Sequence, residues 1–280
     1  MSHESKSPQV ERRRNLSLAE FKREYLYPGK PVVITDAIDG WKDKPIWTFE
    51  HLRKSCGDTP VRIHHYDQER EFTDDGVSHV SLAEYIDGIT SRDWKDYPYY
   101  LRDNWRLFHE HSALMSGHTV PKYFFDWFKL LPSFLRMPYP RIFLGPKGAV
   151  TPLHVDVWDT HAWLSQLQGR KRWVLFSPEQ GKYLYDYKVR VESPDLDLFP
   201  LYAKVHPVEA TIAPGDTIFV PSRWAHWVES LDPAISITYN FMGPGCLMPC
   251  MRGVAGTLSL QRLRNYISKP LARISHHGAR

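Results

Sequence analysis

Cysteine is scarce in this chain. Cys56, Cys246 and Cys250 are an odd set of three with no CxxC spacing, poor material for a disulfide framework or a structural zinc site. Long apolar runs are missing too. Nothing approaches the ~18 consecutive apolar residues that span a bilayer, and the start, Met1-Ser2-His3-Glu4-Ser5-Lys6, has no apolar signal core. An intracellular protein with no membrane contact is the expectation. Charge of one sign is also lacking, because 36 basic residues stand against 32 acidic ones for a formal +4, too even a balance to argue for a nucleic-acid surface. No internal repeat or low-complexity block appears. The basic group Glu11-Arg12-Arg13-Arg14 reads as a frayed polar terminus.

What is present is enough apolar material for a sizeable core, 42% of 280 residues, with a pattern that changes along the chain. Residues 1–16 read as a flexible basic terminus and residues 17–139 as α/β elements packed on a barrel. A capping box at Ser17 and Glu20 opens a helix through Phe21 and Tyr25, and Lys30 to Thr35 reads as a buried strand. A helix between Thr48 and Gly57 follows, then a strand at Pro60 to Tyr66, a helix capped by Ser81 and Glu84, and a strand at Tyr99 to Asp103. From residue 140 to 244 short β segments alternate with Gly, Pro and Asp turns: Arg141 to Leu144, Ala162 to Gln168, Arg172 to Phe176, Val208 to Ile212, Thr217 to Val220, Trp227 to Ser230 and Ala234 to Phe241. Such punctuation predicts a sandwich or barrel, and a jelly roll has an open mouth suited to a metal site. Residues 245–280 read as helical, with Leu258, Leu260, Leu263 and Ile267 forming an apolar stripe that packs on the barrel or on a second subunit as a homodimer interface.

The chemistry concentrates in Thr151-Pro152-Leu153-His154-Val155-Asp156, answered much later by His226. Side chains two apart on a strand share a face, so His154 and Asp156 reach one point, and a histidine from a distant strand completes a facial set of two imidazoles and one carboxylate. That set suits non-haem iron(II) and leaves positions open for oxygen chemistry.

The run from Thr151 through His154 and Asp156 to Gly169-Arg170-Lys171-Arg172-Trp173-Val174-Leu175-Phe176, then Pro214 to Pro221, His226 and Ile237-Thr238-Tyr239-Asn240-Phe241, resembles the JmjC-domain oxygenases. The likeness is to the small hydroxylase branch, which includes the asparaginyl hydroxylase that inhibits hypoxia-inducible factor and the small lysyl hydroxylases. The resemblance implies a double-stranded β-helix, mainly β with flanking helices: a cupin-like jelly roll with N-terminal α/β additions and C-terminal helices. It implies iron(II) on His154, Asp156 and His226, with 2-oxoglutarate as cosubstrate and O2 as oxidant. Lys171 is the expected partner of the cosubstrate's C5 carboxylate, a charge-assisted bond, and Thr151 and Tyr100 match hydroxyl donors to the same group. Asn240 matches an asparagine near the cosubstrate, with Thr238 on the same strand face. One departure is that His161-Ala162-Trp163-Leu164 lacks the asparagine some members carry there. Arg102, Trp158, Asp159, Trp224 and Trp227 are candidates for the substrate entrance, with core packing an equal reading for each tryptophan.

The implied reaction hydroxylates a C–H bond and releases succinate and CO2. A protein or peptide side chain is the leading substrate class. A modified tRNA base, other RNA, a small metabolite or an N-methyl group undergoing demethylation are alternatives within the same chemistry. Outside it stand a non-catalytic metal-binding cupin scaffold and a zinc-dependent cupin isomerase. The isomerase leaves Lys171 and Asn240 without a role.

Overall fold

Two patterns of side-chain burial build the molecule: helices that hide one face, and short strands that hide alternate residues or both faces. The structure is a computed structural model that describes residues 7–41, 46–66, 72–102, 106–133, 136 and 140–257. It begins with strand β1 (Glu11–Arg13) and helix α1 (Leu18–Phe21). The capping box is formed: Glu20 N–H donates to the Ser17 hydroxyl at 3.1 Å, and Ser17 N–H donates to the Glu20 carboxylate at 2.9 Å. The helix runs on as a wider π-type turn through Leu26. Next come β2 (Val32–Ile34), α2 (Phe49–Cys56) capped by Thr48, β3 (Pro60–Tyr66) and β4 (Phe72–Ser81). Helix α3 (Leu82–Ser91), capped by Ser81, leads to β5 (Tyr99–Tyr100), α4 (Arg106–Glu110) and α5 (Ser112–Ser116).

The barrel strands are β6 (Arg141–Gly145), β7 (Val150–His154), β8 (His161–Gln168), β9 (Lys171–Phe176), β10 (Val208–Ile212), β11 (Thr217–Val220), β12 (Ala225–Ser230) and β13 (Ala234–Phe241), followed by α6 (Leu247–Thr257). The larger sheet has the order β1-β2-β11-β8-β13-β6 and the smaller one β10-β9-β12-β7. The chain crosses repeatedly between them, which is the jelly-roll arrangement expected. A separate sheet, β4-β3-β5, lies in the N-terminal part.

The basic stretch at the start corrects the expectation of a flexible terminus through residue 16. Strand β1 pairs in parallel with β2, Glu11 opposite Val32 and Arg13 opposite Ile34. Its charges are answered by distant carboxylates: Arg12 Nη2 donates to both Asp216 oxygens at 2.7 and 2.8 Å, and Arg13 donates to Glu24 at 2.8 Å. These partners hold a charge run in place.

Three buried clusters position the site. Inside the barrel, Leu164, Trp173, Leu175, Ile218 and Val228 meet. On the outer face of the larger sheet, Trp163, Phe219 and Phe241 pack against Phe21 and Phe124 of the N-terminal part, with Phe124 stacked on Trp163 at 5.5 Å between ring centres. Full burial of such side chains contributes about 1.5–3 kcal/mol each, so the N-terminal elements and the larger sheet stabilise each other. On the outer face of the smaller sheet, Val174, Phe176, Ala225 and Trp227 lie under Leu184 and Tyr202 of the segment joining β9 to β10. Gly169 turns β8 into β9 at φ +70°, and a Cβ there would stand 2.2 Å from the Pro233 carbonyl oxygen. The C-terminal stripe of Leu258, Leu260, Leu263 and Ile267 lies outside the described residues. Among the described residues no helix is long and apolar enough to cross a membrane.

Candidate metal centre

Strands β7 and β12 are antiparallel neighbours that set His154 directly opposite His226, with ring centres 4.3 Å apart. The backbone stays extended past the end of β7 (Asp156 φ −58°, ψ 147°), so Asp156 emerges on the same side as His154. One ligand atom from each of His154, Asp156 and His226 lies within 4.8 Å of the others.

Both imidazoles are oriented by their own strands. Nδ1 of His154 donates to the Pro152 carbonyl at 2.8 Å, and Nδ1 of His226 donates to the Trp224 carbonyl at 3.1 Å. A carbonyl only accepts, so each ring carries its proton on Nδ1 and presents a bare Nε2 to a metal. Burial, followed by the neighbouring His154, pushes the His226 pKa down to about 4, so that ring is neutral and ligand-ready at neutral pH.

A bulge assists. His226 faces His154 but Val228 faces Thr151, so three steps on β7 match two on β12. Pro152 lies in the longer stretch, where it has no N–H to give the ladder. The extra residue shifts the alternation by one. Val150 and Leu153 both point outward into the cluster under the β9–β10 segment, and Thr151 turns inward with His154.

Lys171 begins β9 on the barrel's inner side and is 2% exposed. Its ammonium donates to the Tyr100 hydroxyl at 3.2 Å and lies 5.7 Å from the centres of the Tyr100 and Phe143 rings. Among the described residues no carboxylate lies within ion-pair range of it. A buried ammonium with three donors and one hydroxyl partner is under-satisfied. Along β9 and β12, Lys171 faces Ser230 and Leu175 faces His226. Four residues, about 13 Å of strand, separate the two levels, room for a diacid held by metal at one end and ammonium at the other. The donor set and the under-satisfied ammonium thus fit iron(II) with 2-oxoglutarate. Asn240 shares the inner face of β13 with Thr238. Its amide donates to Thr160 Oγ1 at 3.0 Å, while the Thr238 hydroxyl is spent on the Trp163 carbonyl at 2.7 Å.

The cupin-like domain family matches residues 18–244, most of the described chain. The chain belongs to this family. Among curated relatives, lysine-specific demethylase JMJ21 of Arabidopsis thaliana is 34% identical over 249 residues, covering 83% of this chain and 25% of the relative. 2-Oxoglutarate and iron-dependent oxygenase JMJD4 of Gallus gallus is 30% identical over 273 residues, 86% of this chain and 61% of the relative. Bifunctional arginine demethylase and lysyl-hydroxylase psr-1 of Caenorhabditis elegans is 32% identical over 258 residues, 81% of this chain and 59% of the relative. The chain thus spans from a quarter to about three fifths of these relatives' lengths. They are of the JmjC oxygenase kind that the motifs resemble.

The entrance candidates divide. Trp227 is corrected: adjacent to His226 on a strand, it must point to the other face, where it is 3% exposed beneath the β9–β10 segment. The Trp224 indole donates to the Gly29 carbonyl at 2.9 Å and so ties the barrel to the chain before β2. Trp158 sits at φ 56°, two residues past Asp156, against Phe128 and beneath Gly253 of α6. Arg102 lies near His64, whose pKa is pushed to about 4 by burial first and then by this cation. Asp159 lies at the rim of the cupin-like barrel, in the turn that follows Asp156. It joins Lys182, Tyr187 and Arg223 around a cleft of about 250 Å³. Lys182 and Tyr187 lie in the segment joining β9 to β10, which has no periodic apolar signal, and Arg223 in the short turn between β11 and β12, so no sequence pattern marks these three.

Proposed function

We propose that this chain is an intracellular iron(II)- and 2-oxoglutarate-dependent oxygenase that hydroxylates a C–H bond on a polypeptide side chain. The observation that carries this reading is the Lys171 ammonium, buried without a carboxylate partner among the described residues in the same barrel as the His154, Asp156 and His226 set. A zinc isomerase or an inert scaffold has no need of that cation. Iron(II) and 2-oxoglutarate, when bound, supply oxidation of a C–H bond by O2 with release of succinate and CO2.

The residues' own tasks follow from their placement. His154 and His226 would hold the metal through Nε2 and Asp156 through a carboxylate oxygen. Lys171, with the Tyr100 and Thr151 hydroxyls, receives the far carboxylate of the diacid and fixes its direction. Asn240 lines the inner wall through its bond to Thr160. The apolar layer of Leu164, Trp173 and Leu175 keeps bulk water from the centre.

Relatives named as lysyl hydroxylase and arginine demethylases favour a polypeptide substrate over RNA or a small metabolite. Relatives named as demethylases supply a second reading of the same site, oxidation of an N-methyl group that then leaves as formaldehyde. The test incubates the iron-loaded protein with labelled 2-oxoglutarate and candidate polypeptides. Succinate formation, abolished together with bound iron in His154→Ala, is expected. A gain of one oxygen on the polypeptide marks hydroxylation and loss of one methyl group marks demethylation. Succinate formation that persists in His154→Ala would sink the assignment of the centre.

A further inference from the structure

The cleft lies at the barrel rim, on the outer side of the two strand ends whose inner side carries the metal centre. Its wall includes Val155, between His154 and Asp156, and Ala225, which precedes His226. Asp159 follows Asp156 by three residues and Arg223 precedes His226 by three, so a polypeptide that lays a C–H bond over the three ligands passes beside the cleft. The charged wall is Asp159, Lys182 and Arg223, with Tyr187 among them.

Several arginines elsewhere on the described surface close ion pairs, Arg12 with Asp216, Arg53 with Asp87 and Arg170 with Asp232 at 2.7 Å, and Arg172 with Glu209 at 3.0 Å, while others such as Arg62 and Arg190 stand in solvent. Among the described residues Arg223 and Lys182 close none, although Lys182 lies 4.9 Å from the Tyr183 ring centre. Glu179 stays outside ion-pair range; its pKa is lowered mainly by the Ser177 hydroxyl and least by the Arg223 charge. Asp159 and Arg223 both face the Tyr187 phenol, whose pKa burial raises first, with Asp159 adding to the rise and Arg223 opposing it.

These groups are held still. Asp159, Tyr187 and Arg223 occupy the left-handed region at φ 53°, 66° and 65°, a conformation non-glycine residues keep when their surroundings impose it. Ser222 provides the fastening, its hydroxyl donating to the Asp159 carbonyl at 2.6 Å and its N–H to His161 Nδ1 at 2.9 Å. His161 is fixed in turn by donating from Nε2 to the Pro244 carbonyl at 2.7 Å. Fixed backbone beneath a charge lowers the ordering cost of binding.

We propose that this cleft reads an acidic side chain beside the residue to be oxidised, held by Arg223 and Lys182, with Asp159 turning acids away from its own side. The inference rests on the polypeptide-oxygenase reading. It concerns sequence context, so Arg223 and Lys182 are specificity residues, outside the chemistry.

The test presents the iron- and 2-oxoglutarate-loaded protein with synthetic peptides carrying lysine, arginine or asparagine at the centre and randomised flanks. Oxidised peptides should be enriched in Asp or Glu near the centre, and changing that acid to its amide should lower kcat/KM about two- to fivefold. The Lys182→Glu, Arg223→Glu double variant should reverse the preference toward basic flanks. Oxidised peptides without acidic enrichment overturn this inference and leave the oxygenase reading standing. Succinate formation with no oxidised peptide overturns both. Should the double variant fail to fold, the native protein decides: its acid-to-amide ratio must shrink as salt rises from about 50 to about 300 mM, and a ratio indifferent to salt overturns the inference.

Discussion

Lys171 holds its charge inside the barrel with one neutral hydroxyl for company, and that placement makes two opposite predictions from a single substitution. Lys171→Met keeps the unbranched chain, one atom shorter, and removes the ammonium. Without cosubstrate the variant should be more stable, by about 1–3 kcal/mol, because an under-satisfied buried cation has been replaced by an apolar chain. Denaturant unfolding of the metal-free protein measures this. With cosubstrate the sign changes: loss of a buried charge partner costs at least ~2 kcal/mol, about thirtyfold in 2-oxoglutarate affinity. Anaerobic titration of the manganese-substituted protein reads that loss. A variant that is less stable and binds 2-oxoglutarate as before would show that Lys171 serves packing alone. At this scale the sequence was legible where a residue's neighbours on its own strand decide its role. His154 and Asp156 are two apart, and parity joins them. Trp227 was misread because closeness in sequence to His226 puts it on the wrong face, and Thr151 depends on a bulge at Pro152 that parity alone does not foresee.

Among elements, the β8–β9 hairpin sets where Lys171 enters the barrel. Gly169 takes φ +70°, and an added Cβ would meet backbone, the Pro233 carbonyl at 2.2 Å. Gly169→Ala therefore combines a left-handed alanine, about 1–2 kcal/mol, with a contact that no side-chain rotation relieves. A loss of at least ~2 kcal/mol is expected in urea unfolding. Weaker 2-oxoglutarate binding should accompany it, since Lys171 lies two residues on. Unchanged stability would mean the hairpin yields freely and does not anchor the strand. The elements most visible in the sequence were those with local signals: the Ser17, Thr48 and Ser81 caps, and barrel strands bounded by Gly, Pro and Asp. Strand β1 gave no such signal. Its arginines have no apolar alternation, and what orders Arg12 is Asp216, 204 residues away. The same limit hid Arg223 and Lys182, which meet at the mouth only after the segment joining β9 to β10 has folded back over the smaller sheet.

For the whole molecule, a buried histidine in the joint between the N-terminal elements and the barrel and a half-buried one on β3 make stability depend on pH. His118, after α5, donates from Nδ1 to the Leu114 carbonyl at 3.2 Å and accepts on Nε2 from the Tyr239 hydroxyl of β13 at 2.7 Å. Burial lowers its pKa from 6.5. His64 on β3 is lowered to about 4, by burial first and then by the Arg102 and Arg62 charges. Both groups bind a proton less readily in the folded state, so between pH 6.5 and about 4 the unfolded chain carries more protons. Stability from these two groups is therefore complete above about pH 6.5 and is lost as pH falls toward the folded values. Protonation of His118 also charges a buried ring between two units that share one apolar core. The urea midpoint of the metal-free protein should fall steadily from about pH 7 to about pH 4.5. Replacing His118 by glutamine, which cannot charge, should flatten that slope even if it lowers the midpoint at neutral pH. An equally steep slope in His118→Gln and His64→Gln would place the acid sensitivity elsewhere and remove the joint as its source.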